Sequence, residues 1–144
     1  MAAQLVGISL SVEPGRACYV PLRHGGAGDG GFDFGLDSDG GRPEQISVDD
    51  ALALLKPILE HPGILKIGQN IKYDALILRN EGIRIGPIDD TMLISYALEC
   101  GMHGHGMDEL SQLHLGITPV PFKEIAGTGK AKKTFDQIGL EDAT

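Results

Sequence analysis

Between Gly25 and Gly41 the chain reads GGAGDGGFDFGLDSDGG, with only Phe32, Phe34 and Leu36 as large apolar residues. Such a stretch gains too little from burial to offset the entropy lost on ordering it, so a long surface loop is expected there. Its acids and glycines at Asp37-Ser38-Asp39-Gly40-Gly41 are out of register for a calcium loop, and no bidentate acid follows. The loop accounts for much of the glycine in a chain of 144 residues with Gly 21 and Pro 8. It separates two short apolar runs from everything downstream.

Those first runs, Leu5–Val12 and Ala17–Leu22, flank Glu13-Pro14-Gly15-Arg16, a turn signature, and predict a β-hairpin. After the loop, Ser47 is placed to cap a helix with Asp49 and Asp50 in its first turn. Ala51, Leu52, Leu55, Ile58 and Leu59 keep helical spacing until His61-Pro62-Gly63 ends it. Ile64–Gly68 is short, apolar and turn-bounded, which predicts a buried strand. Gln69-Asn70 leads into a helix carrying Ile71, Ala75 and Leu78, stopped by Gly82. A brief extended piece is expected at Ile83–Ile85, a helix from Ile88 through Leu98, a linker over Gly101–Gly106, and a helix over Met107–Leu115. A hairpin followed by strand–helix alternation indicates a mixed α/β sheet covered by helices in a single domain.

Several function classes fall away on composition. At 42% hydrophobic residues the chain has enough apolar surface for a core. No apolar run approaches the roughly 20 residues of a membrane span, and Met1-Ala2-Ala3-Gln4 lacks the basic flank of a signal peptide. Cys18 and Cys100 form neither a metal-type pair nor a disulfide framework, so a reducing, cytoplasmic setting is expected. A net charge of −8 argues against broad nonspecific duplex binding, which relies on Lys and Arg.

The most informative segment is Gly68-Gln69-Asn70-Ile71-Lys72-Tyr73-Asp74, where a strand ends in glycine and polar side chains crowd the next helical turn. Asn70 and Asp74, four apart, share a helix face, while Lys72 and Tyr73 set a cation and an aromatic beside a carboxylate. Two readings stand side by side. Asp74 binds metal while Lys72 and Tyr73 meet a phosphate or base, or Asn70 is an N-cap and Asp74 a dipole-stabilised acid.

GQNIKYD (68–74) followed by DDTML (89–93) resembles the second exonuclease motif of the proofreading 3′–5′ exonuclease domain of bacterial DNA polymerase I, a family A polymerase. MDEL (107–110), PFKEIAGTGK (121–130), TFDQI (134–138) and the hairpin LVGISLSVEPGRACYVPL (5–22) resemble further blocks of that domain. Outside the glycine loop the resemblance covers nearly the whole chain. It implies a ribonuclease-H-like mixed sheet flanked by helices. It also implies a site where four acids hold two divalent cations, Mg²⁺ or Mn²⁺, that cleave a single-stranded DNA 3′ end. The implied partner is a polymerase domain of the same parent chain. Carried over by position, Asp74 is the catalytic, metal-site acid. Gln69, Asn70, Lys72 and Tyr73 match residues beside the terminal nucleotides, and Phe122 matches an aromatic that contacts single-stranded DNA. Where the family often has an arginine, this chain has Gly104, so a phosphate contact is absent or supplied differently.

The family's first motif, Asp-x-Glu, occurs nowhere in the sequence, and only Met1–Gln4 precede the strand it should be followed by. The third motif, Tyr-x-x-x-Asp, is missing too: Tyr96 has Cys100 four residues on. Three of the four acids are therefore absent. The expectation is a partial domain over residues 1–144, lacking its first, central strand and its last helix and inactive alone. A noncatalytic single-stranded-DNA-binding or structural domain is the alternative. Open sheet edges lead to expected self-association.

Other signals are set aside. Cys100, His103 and His105 could touch a zinc, but no fourth ligand is spaced to complete a tetrahedron. Gly127-Thr128-Gly129-Lys130 lacks the glycine and Ser/Thr that a phosphate loop needs at Glu124 and Ala131. Lys123, Lys130, Lys132 and Lys133 are either a solvated loop or a DNA contact.

Overall fold

The computed structural model describes residues 3–25, 45–129 and 132–143. The surface loop expected over Gly25–Gly41 lies outside them beyond Gly25, as does Lys130 of the basic cluster. In chain order the elements are β1 (Gly7–Glu13), β2 (Arg16–Pro21), α1 (Val48–Leu59), β3 (Lys66–Gly68), α2 (Ile71–Asn80), β4 (Ile88–Asp90), α3 (Thr91–Glu99), α4 (Met107–Leu115), α5 (Phe122–Ala126), a 3-10 turn (Phe135–Gln137) and α6 (Leu140–Ala143). The fold is mixed α/β with small sheets. No helix among the described residues is long and apolar enough to cross a membrane. Two compact units are present, one from Gln4–Ala51 with Phe122–Thr144, the other from Met1–Ala3 with Leu52–Pro121.

In the first unit β1 and β2 form the expected antiparallel hairpin, with Gly7 opposite Pro21 and Ser9 opposite Tyr19. Its turn works because Gly15 takes φ +78°, a left-handed angle that glycine adopts without strain. The register shifts between Ser11 and Glu13. Ser11 Oγ sits 2.9 Å from the Glu13 carbonyl and 2.7 Å from that of Arg16, closing the irregularity.

The centre of this unit is His24, only 1% exposed. Its Nδ1–H donates to the Ile138 carbonyl at 3.1 Å, which leaves Nε2 to accept from the Tyr19 hydroxyl at 2.5 Å. Gln45 brackets the His24 backbone at both its N–H and its carbonyl, 2.8 and 3.0 Å. The Tyr19, His24 and Phe135 rings meet edge-on, with centroids 5.5 to 6.3 Å apart. Burial pushes the Tyr19 hydroxyl pKa up. One histidine thus ties the end of the hairpin to a segment more than a hundred residues downstream. Leu5, Leu22, Ala126 and Ile138 are buried in the same unit.

Tyr19 reaches His24 by lying over Gly7: a Cβ there would sit 2.1 Å from the Tyr19 hydroxyl and 2.3 Å from its ring. The ring cannot yield without leaving its histidine. Gly7→Ala is therefore expected to cost about 1–3 kcal/mol of stability, the usual penalty for overfilling a packed site. In a Tyr19→Ala background the same change should cost far less, because the clash and the lost hydrogen bond are shared. Urea unfolding of the four variants measures that coupling, and additive losses would refute the account.

The boundary between the units falls within α1, whose start follows the sequence: Ser47 Oγ accepts from the Asp50 N–H at 3.1 Å. In the second unit β3 and β4 pair in parallel, with Lys66, Ile67 and Gly68 opposite Ile88, Asp89 and Asp90. Three expectations need correction. Ile88-Asp89-Asp90 is a strand rather than the opening of a helix, which begins at Thr91. Two acids before a threonine resemble a helix start, but pairing with β3 decides the backbone. Ile83–Ile85 forms no strand, although Ile83, at 1% exposure, is the most buried apolar side chain among the described residues. The strand within Ile64–Gly68 covers only Lys66–Gly68, and Ile67 is 67% exposed rather than buried.

Candidate functional site

The junction from β3 to α2 is built around close approach and one carboxylate. A Cβ on Gly68 would lie 2.9 Å from the Ile71 side chain, so glycine lets α2 begin directly at the strand end. Asn70 takes φ 53° and ψ 40°, the left-handed region that asparagine tolerates better than most residues. Its side chain makes no capping hydrogen bond, which corrects the reading of Asn70 as a side-chain N-cap. Asp90 does that work from β4. Its Oδ1 accepts from the Asn70 N–H at 2.9 Å and the Met92 N–H at 3.0 Å, and its Oδ2 from the Ile71 N–H at 3.1 Å. One buried carboxylate therefore caps α2 and α3 together.

With the cap supplied from elsewhere, the first turn of α2 leaves Lys72, Tyr73 and Asp74 exposed side by side. The Asp74 pKa is raised above the usual carboxylate value. Loss of hydration next to the protein raises it most, a hydrogen bond with its own backbone N–H pulls it down, and the charge of Asp90 adds to the rise. Gln69 turns the other way. Its Nε2 donates to the His105 carbonyl at 2.8 Å, and its Oε1 accepts from Thr91 Oγ1 at 2.5 Å.

Phe122 belongs to the other compact unit. It is 43% exposed, stacks on Phe135 with centroids 6.0 Å apart and planes 30° off parallel, and has Lys132 Nζ 5.7 Å from its centroid. That is an accessible aromatic with a cation beside it.

The Gly101–Gly106 linker is tied down. His105 Nδ1 is 2.8 Å from Ser95 Oγ, and the Gly104 N–H donates to Glu109 Oε1 at 2.9 Å. His103 donates from Nδ1 to the Gly104 carbonyl at 2.7 Å, with Nε2 3.0 Å from Glu99 Oε2. Both ring nitrogens face acceptors, which favours the imidazolium. The His103 pKa is raised most by the Gly104 carbonyl, is pulled back in part by desolvation, and is raised further by Glu99 and Glu109. Asp90, Thr91, Ser95 and His105 all support the junction, and sequence spacing marks none of them as doing so.

Hard divalent cations take about six oxygen ligands. Asp74 offers one carboxylate, and Asp90 spends both oxygens on backbone amides. Among the described residues no group of three or more His, Cys, Asp or Glu could hold a metal ion. The residues described here do not by themselves fit a two-metal centre.

A family profile described as 3'-5' exonuclease matches residues 1–141. The chain belongs to the 3′–5′ exonuclease family. It is 46% identical to a DNA polymerase I of Rhizobium leguminosarum over 154 aligned positions covering 100% of the chain. It is 43% identical to a DNA polymerase I of Pseudomonas aeruginosa over 98% of the chain, and 26% identical to one of Chloroflexus aurantiacus over 99%. This exonuclease-family chain spans only 15%, 14% and 14% of the lengths of those three relatives.

Proposed function

We propose that this chain is part of a proofreading domain that removes nucleotides from single-stranded DNA 3′ ends, beside a polymerase domain in the same parent chain in the bacterial cytoplasm. The family match carries the reading: it runs through both compact units, which supports one partial domain over residues 1–144. Asp74 is its motif-two acid. Gln69, Asn70, Lys72 and Tyr73 line the path of the terminal nucleotides, and Phe122 stacks on the strand. The central strand and last helix of a ribonuclease-H-like fold lie outside these residues in this reading. The exposure of Leu65 (50%) and Ile67 (67%) beside the short β3 supports it. The cofactor is Mg²⁺ or Mn²⁺, for which Asp74 is one ligand and the described residues supply no complete set.

Base stacking on an aromatic contributes about 1–3 kcal/mol per base. Tyr73→Ala and Phe122→Ala, made in a polymerase carrying this sequence, should each weaken single-strand binding about tenfold to hundredfold. Fluorescence anisotropy with a labelled oligonucleotide, in buffer of fixed salt, measures it. Unchanged affinity in both variants would refute the DNA-contact roles.

A further inference from the structure

We propose that the Gly101–Gly106 loop is a positioning element for Gln69, holding its side-chain amide through the His105 backbone so that one fixed edge of the amide is offered at the β3–α2 junction. The inference rests on the proposed role of Gln69 beside a bound strand. The amide is held at both ends, by the His105 carbonyl on Nε2 at 2.8 Å and by Thr91 Oγ1 on Oε1 at 2.5 Å. An amide held at nitrogen and oxygen cannot rotate, and it keeps one N–H and one lone pair for a ligand. Preorganising a flexible side chain removes part of the entropy cost of binding.

The grip is only as firm as the loop, and the loop is fastened at three points. Ser95, 7% exposed on α3, bonds the His105 ring, and Tyr96 packs edge-on against that ring with centroids 5.0 Å apart. His103 bridges the Gly104 carbonyl and Glu99. Glu109 of α4 holds the Gly104 N–H. The titratable groups facing His103 are Glu99 on α3, Glu109 and His114 on α4, and His105 in the loop, with ring centroids 5.2 Å away for His105 and 6.5 Å for His114. His114 Nε2 also lies 3.8 Å from Glu99, so the carboxylates offset the crowding of three imidazoles. Because the pKa of His103 is raised in the fold, both of its bonds are made at pH below the ordinary histidine value, and one of the two is lost as pH rises through the raised one, since a neutral imidazole keeps a single N–H.

The test reads the Gln69 side-chain NH₂ by ¹⁵N NMR in the 144-residue chain. The expected result is one of the two amide protons shifted downfield by the His105 carbonyl and exchanging slowly with water, a shift that is lost, with faster exchange, in Ser95→Ala and His105→Ala. His105→Asn, whose amide can reach Ser95 as the ring does, should restore the signature. The wild-type chain needs no substitution for a second readout: raising the pH through the His103 titration should reduce that downfield shift in step, the shift and not the exchange rate being read because amide exchange quickens with pH in any case. A Gln69 signal indifferent to Ser95→Ala, His105→Ala and pH would overturn the proposal. In a polymerase carrying this sequence, Ser95→Ala should weaken single-strand binding about threefold to tenfold, and not at all once Gln69 is alanine. If the NMR signature responds while Gln69→Ala leaves binding unchanged, the grip stands and the DNA role of Gln69 falls.

Discussion

Replacing Asp90 by alanine should destabilise the chain by about 3–5 kcal/mol, a large share of the roughly 5–15 kcal/mol that holds an ordinary domain folded. Its carboxylate accepts three backbone N–H groups, from Asn70, Ile71 and Met92, and is only 9% exposed. Hydrogen bonds to a charged group contribute about 1.5–3 kcal/mol each, and donors left without an acceptor in a buried setting add their desolvation cost. Two helix starts fail together, since α2 and α3 share the one cap. Asp90→Asn should cost about half as much: it keeps an acceptor for Asn70 and Met92 but turns an NH₂ toward the Ile71 N–H, donor against donor. Urea unfolding gives the answer directly, as a fall in midpoint at constant slope. A loss below about 1 kcal/mol in the alanine variant would mean that water replaces the carboxylate without penalty, and the double-cap account would be wrong.

Much of this architecture is legible in the sequence because it is local. The hairpin announces itself by Pro14-Gly15 between two apolar runs, and α1 by Ser47 followed by acids. What is not legible depends on pairing across the chain. Asp89 and Asp90 read as the first turn of a helix until β3 lies alongside them, since a three-residue strand has too little pattern to outweigh its own acids. Asn70 looks like a capping side chain, yet it is suited to that position by its backbone, and the cap comes from a residue twenty positions later. The same limit applies to the site. Gln69, Lys72, Tyr73 and Asp74 fall within the one short motif 68–74, so the proposed site residues are read together from the sequence. His105 and Ser95 hold Gln69 through a backbone carbonyl, and a carbonyl leaves no mark on residue type. His24 is hidden in the same way: its role needs Ile138, whose contribution is again a carbonyl.

The contrast between Asp90 and Asp74 gives the sharpest functional prediction. Both acids sit at one junction, but Asp90 is consumed by the backbone while Asp74 stands exposed in the first turn of α2. Asp74→Asn should therefore change stability by no more than about 0.5 kcal/mol, as is usual for an exposed side chain that caps nothing. In a polymerase carrying this sequence, the same substitution should lower release of mononucleotides from a 5′-labelled single strand at least about a hundredfold, the scale on which losing one placed charge in a site slows a reaction. Asparagine keeps the volume and removes the charge, so the loss reports the carboxylate and not its packing. A carboxylate cannot itself offset negative charge building on a phosphate; its value in cleaving one lies in what it binds together with further ligands. For that reason the 144-residue chain alone, with Asp74 but no complete ligand set among its described residues, should not degrade the strand in Mg²⁺ or Mn²⁺. Steady cleavage by the isolated chain would overturn the partial-domain reading. Release of mononucleotides from the 3′ end that stays within about threefold after Asp74→Asn would remove Asp74 from the proposed site, since so small a change is under 1 kcal/mol.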